Sequence, residues 1–120
     1  AASPLLFTEI RHAGGAIARV PADANAIGHR SASFFLQLAA LTPTPEIYTA
    51  ANASIARYKS ALRPLVGVRG SVYLNFMKGD EARLRVKDAY PPTTYRRLLA
   101  LKRRTDPDNL FRFSYQLTSF

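Results

Sequence analysis

The sequence predicts an α+β fold, part of an antiparallel sheet covered on one face by helices and a fragment of something larger. Three observations predict it. Short β-branched and aromatic runs fill residues 5–41, one long stretch with helical apolar spacing follows, and a second helix signature lies near the C-terminus. Strands that come in succession, with helices appended, favour antiparallel pairing over an alternating α/β pattern.

Residues 5–12 (LLFTEIRH) and 15–20 (GAIARV) read as short strands separated at Gly14-Gly15, a pairing that suits a bulge or a close approach to the backbone. Residues 21–31 are turn-rich. ASFFLQLAAL at 32–41 places Phe34, Leu36, Leu38 and Ala40 on one face and Phe35 and Leu41 on the other, as in a strand covered on both sides. A helix over 45–63 then begins at Thr44-Pro45-Glu46. Thr44 can cap it, proline suits its first position, and a carboxylate suits the positive end of its dipole. Ile47, Ala51, Ile55, Tyr58 and Leu62 form its apolar stripe, and Pro64 is expected to stop it at or just before Arg63.

Residues 79–88 read as a helical turn or two. Pro91-Pro92-Thr93-Thr94 opens the last helix, with Tyr95, Leu98 and Leu99 inward and Arg96, Arg97, Arg103 and Arg104 outward. Asp106-Pro107-Asp108-Asn109 ends it as a turn. So few strands and one long amphipathic helix leave a wide apolar surface, which fits part of a larger protein better than a finished domain.

Bulk composition narrows the function classes. The chain has 120 residues, 48% of them hydrophobic and 21% charged, which is globular rather than disordered. It has no cysteine and two histidines without metal-ligand spacing, so disulfides, thiol nucleophiles and a zinc site are not expected. No apolar run approaches the ~20 residues a membrane helix needs, nothing at the start resembles a signal peptide, and a cytoplasmic location is expected. The net charge of +9 lies wholly in residues 54–120, where 14 basic side chains face 5 acidic ones. A basic half admits a small nucleic-acid-binding module as an alternative function. No helix-turn-helix, finger or RNP pattern accompanies the charge, and solvated helix faces or an anionic cofactor would use it equally well.

The C-terminal motifs are more specific. Tyr73-Leu74-Asn75-Phe76, then Tyr95, Arg97, Leu98, Leu101 and Lys102 on the last helix, then Asp106, Pro107, Asn109 and Phe111, stand in an order that resembles the closing segment of the berberine-bridge-enzyme-like FAD-linked oxidases, of the vanillyl-alcohol-oxidase superfamily. The upstream run EIRHAGGAIARV…AIGHR is similar to bacterial members, so the likeness covers roughly residues 9–113. The resemblance implies a two-domain FAD-dependent oxidoreductase. Its FAD-binding domain would lie outside this chain and hold most of the cofactor. Residues 1–72 would be a partial substrate domain, and residues 73–120 the berberine-bridge-like C-terminal segment. The partners expected are the remainder of its own enzyme and a small-molecule substrate, with no membrane. A non-catalytic remnant that keeps the packing motifs would read the same way.

Flavin oxidation of an alcohol or amine needs a base beside the substrate. The resemblance gives Tyr73 the role of that base or of a substrate hydrogen-bonder. A free phenol is a poor base near neutrality, so the role needs cationic help, for which Arg69 and Lys78 are the sequence neighbours. Asn75, donor and acceptor at once, is implied as a flavin contact. His12 and Arg30 are implied as substrate-binding residues, Arg30 for an anionic group. The competing readings are a packed tyrosine, a turn-capping asparagine and structural roles for His12 and His29. The sequence departs from the family pattern in two places. Thr105 stands where an aromatic residue is usual, and Ser114-Tyr115-Gln116 replaces a common Asn-Gln, so no role is assigned to the tail.

Overall fold

The computed structural model describes residues 3–66 and 71–117. The α+β expectation holds: a two-stranded antiparallel sheet is followed by three α-helices. The chain divides into two compact units, Ala1–Ala18 with Ser31–Gly70, and Arg19–Arg30 with Ser71–Phe120. Among the described residues no helix is long and apolar enough to cross a membrane.

In the first unit β1 (Phe7–His12) pairs antiparallel with β2 (Phe34–Ala39), from Phe7 opposite Ala39 to His12 opposite Phe34. Leu6 N–H to the Ala39 carbonyl and Ala13 N–H to the Ser33 carbonyl, both 2.8 Å, extend the ladder at its ends. Directly opposed residues share a face, so Thr8, Ile10 and His12 line up with Leu38, Leu36 and Phe34. That face is open among the described residues: Ile10 is 70% exposed and Phe34 61%. β2 is therefore not covered on both sides here.

The strand expected over 15–20 does not form. Gly14 (φ +99°) and Gly15 (φ +51°) turn the chain out of the sheet, and Ile17 N–H closes the turn on the Gly14 carbonyl at 3.0 Å. A Cβ at either glycine would meet no other atom among the described residues, so within this chain the pair serves left-handed geometry.

The helix α1 (Pro45–Val66) begins as its sequence dictates. Thr44 Oγ1 accepts the Ile47 N–H at 3.4 Å, and the Thr44 carbonyl accepts the Tyr48 N–H at 3.0 Å. The Thr44 hydroxyl, then the backbone N–H of Glu46 itself, hold the Glu46 carboxyl below the ordinary carboxylate range. The helix does not stop at Arg63. It runs through Pro64 into its last turn, because a proline's fixed φ is already helical and only one hydrogen bond is forfeited there. Ala51 and Ser54 form its buried line, while Ile47 and Tyr58 at the stripe's edge are exposed.

The second unit is built on short turns and one good helix. A 3₁₀ turn (Leu74–Phe76) leads into α2 (Gly79–Leu84), a second 3₁₀ turn (Val86–Ala89) and α3 (Pro92–Thr105). Met77, Val86, Ala89 and Tyr95 make its small core. Arg85 braces the first bend, its Nη1 donating to Glu81 Oε1 at 2.8 Å and its Nε to Asp88 Oδ2 at 2.9 Å. Tyr90 packs at 6.1 Å from the Tyr95 ring, and burial, with Tyr95 beside it, raises the Tyr90 phenol pKa.

Segment 19–30 seats against this bend. A Cβ on Gly28 would lie 2.8 Å from both the Ala89 carbonyl and Pro91 Cδ. Next to it His29, at φ +56°, places Nε2 2.7 Å from the Asp88 carbonyl, which can only accept, so the proton sits on Nε2.

The end of α3 is closed by Asp106. Its N–H reaches the Lys102 carbonyl, and its carboxylate accepts the Lys102 ammonium and the N–H groups of Leu110 (2.7 Å) and Phe111 (3.1 Å). Lys102 first, then the two backbone donors, lower the Asp106 pKa against the opposing effect of burial. Asn109 supplies the left-handed residue, φ +52°, that completes the turn.

Candidate functional site

Ser71 to Lys78 is neither a buried strand nor free coil. The backbone is extended at Tyr73 (φ −110°, ψ 112°), tightens into the Leu74–Phe76 turn, and is extended again at Met77. Two internal bonds close the turn, Phe76 N–H to the Tyr73 carbonyl and Met77 N–H to the Leu74 carbonyl, each 3.1 Å. The Met77 side chain is 3% exposed and anchors the turn inward. Tyr73 and Phe76 are left on the surface, 41% and 48% exposed, with ring centroids 5.6 Å apart. Asn75 lies between them, exposed, and its carboxamide has no hydrogen-bond partner among the described residues.

One turn therefore presents a phenol, a donor–acceptor amide and an aromatic ring, while a buried methionine holds its base. Lys78 follows at the start of α2. Arg69, the other cation expected to assist Tyr73, and its neighbour Gly70 lie outside the described residues. Gly79, the second flanking glycine, is at φ +55° and turns the chain into α2.

The four residues singled out in the sequence fall differently. Tyr73 and Asn75 share the turn. Arg30 belongs to the same unit, where its guanidinium Nη2 donates to Asn25 Oδ1 at 2.9 Å. His12 belongs to the other unit, at the end of β1, with its ring 5.1 Å from Phe34 on the open sheet face.

Sequence reasoning passed over Tyr115. Its single hydroxyl proton is shared between the Leu74 carbonyl, the nearer partner, and the Met77 carbonyl at 3.1 Å, reaching back 41 and 38 residues to grip the turn that carries Tyr73 and Asn75. No local pattern announces such a contact. Tyr115 sits where the tail leaves the family pattern.

Comparison with known proteins agrees with this geography. Residues 72–115, from the start of the turn to the tyrosine that grips it, match the family described as berberine and berberine like. The chain is also 36% identical over 103 residues to the FAD-linked oxidoreductase OXR1 of Pyricularia oryzae, a match covering 82% of this chain and 20% of that protein. Both matches point to one class of protein that this chain is similar to, the FAD-linked oxidoreductases. The family's own segment is confined to residues 72–115, and the likeness to the oxidoreductase runs over most of the chain. The chain spans about a fifth of the length of the curated relative it matches.

Proposed function

We propose that this chain is the C-terminal part of an FAD-dependent oxidase of alcohols or amines, and that it supplies one wall of the substrate pocket and the flavin-facing surface. The observation that carries the reading is the exposed Tyr73–Asn75 pair on a single anchored turn, inside the matched segment. The donor set fits a flavin edge: Asn75 can give and take a hydrogen bond to a ring of alternating donors and acceptors, and its amide is not already committed. Most of the FAD would be held by a domain outside these residues.

When bound, FAD supplies the hydride acceptor. The chain's own residues do the rest. Tyr73, as the phenolate, accepts the proton from the substrate hydroxyl or amine and becomes the neutral phenol, acting as general base, and Phe76 packs against the Tyr73 ring and limits its rotation. Asn75 fixes the ring edge by hydrogen bonding. Arg30 is the candidate for binding an anionic substrate group, and His12 is a separate substrate-binding candidate.

The test uses the full-length enzyme and a panel of primary and secondary alcohols and amines, with loss of the flavin's visible absorbance as readout. Tyr73→Phe keeps its flavin and slows reduction by about a hundredfold or more, the usual range for a positioned general base. Undiminished reduction in that variant would show that Tyr73 is not the base. Asn75→Ala is expected to lose flavin on dilution more readily than the parent while keeping its fold by circular dichroism.

A further inference from the structure

Two internal hydrogen bonds and three residues do not make a self-sustaining turn: 3₁₀ geometry is poor and a single turn barely offsets the entropy of ordering it. The Leu74–Phe76 turn nonetheless has to hold two side chains in register with a ligand. We propose that Tyr115 is the positioning residue for this site, an inference that rests on the reading of Tyr73 and Asn75 given above.

The geometry makes the case. The Leu74 carbonyl belongs to the peptide plane that joins Leu74 to Asn75, between the two site residues, and the Met77 carbonyl lies just past Phe76. One phenol on both carbonyls therefore fixes the peptide on which Asn75 turns and the exit of the turn. Leu74 O already accepts the Met77 N–H at 3.1 Å, so the Tyr115 hydroxyl completes its second lone pair. Tyr115 is itself half-buried and touches the turn through backbone atoms, leaving the Tyr73 and Asn75 side chains toward the ligand. It acts through them and not on the substrate.

Tyr115→Phe removes one oxygen and keeps the ring. In the full-length enzyme it is expected to speed hydrogen exchange at the amides of residues 74–77 about tenfold, the loss of one partly buried hydrogen bond. Flavin content and the global melting temperature stay close to the parent's. Flavin reduction by the best alcohol or amine of the panel slows by about ten- to a hundredfold, as misplacement of a base by about 1 Å would do. In the Tyr73→Phe background the same change costs clearly less, because one of the two groups it positions is already gone and only Asn75 is left to misplace.

An equal penalty for Tyr115→Phe in both backgrounds would make it a general structural residue and overturn the proposal. So would unchanged exchange at residues 74–77. Full activity in Tyr73→Phe alone would instead sink the base assignment, and the exchange measurement then decides on its own whether Tyr115 holds the turn.

Discussion

Asp106 carries more of the second unit than its place in a recognisable motif implies. The Lys102 ammonium and the N–H groups of Leu110 and Phe111 all bind its carboxylate, so the charged form is favoured in the folded chain. A carboxyl whose folded pKa lies below its unfolded one binds fewer protons when folded. Its contribution is complete above the ordinary value of about 4 and is lost as pH falls through the folded pKa. The parent's urea midpoint should therefore fall more steeply than that of Asp106→Asn as the pH is lowered below about 4. The variant is the less stable of the two at neutrality. Parallel slopes would remove Asp106 from the account of acid sensitivity.

At the scale of elements, what the sequence discloses is local. Thr44-Pro45-Glu46 starts α1 where the cap and dipole rules put it, and Pro91-Pro92 starts α3 likewise. Pro64 misleads because a proline in the last turn forfeits one bond without reversing the chain. Residues 15–20 mislead because their apolar content looks like a strand while Gly14 and Gly15 at their start turn the backbone left-handed. The turn at Tyr73 could be found by its motif, but its anchor could not, since Tyr115 lies 41 residues away and makes its contact only after folding.

Gly28 was equally silent, for its constraint is a neighbour's atoms and not its own φ. That contrast is testable. Gly28→Ala drives a methyl into the Ala89 carbonyl, which cannot swing aside as a side chain can, and should cost about 1–3 kcal/mol with faster exchange through residues 86–91. Gly15→Ala meets open space and should cost only the left-handed strain, about 1 kcal/mol. Equal costs measured by urea unfolding would mean that the contact between segment 19–30 and the Pro91 bend is dispensable.

For the molecule as a whole, the open sheet face is the feature that separates a finished domain from a segment. Ile10, Leu36 and Phe34 stand side by side on it with His12 at the rim, and none is buried. A soluble monomer rarely leaves such a contiguous apolar surface without a partner. The proposed place of this chain in a longer oxidase gives it one, the remainder of the enzyme's own substrate domain. The substitution Ile10→Lys distinguishes the two situations. In the chain alone the side chain is 70% exposed, so the change should alter stability by no more than about 0.5 kcal/mol and improve solubility. In the full-length enzyme the same ammonium would be buried without a partner, and a loss of about 3 kcal/mol or more in unfolding free energy is expected, with flavin released at lower denaturant. If the full-length protein tolerates Ile10→Lys as easily as the chain alone, this face is not covered in the enzyme, and His12 on its rim would lose its claim to a substrate contact.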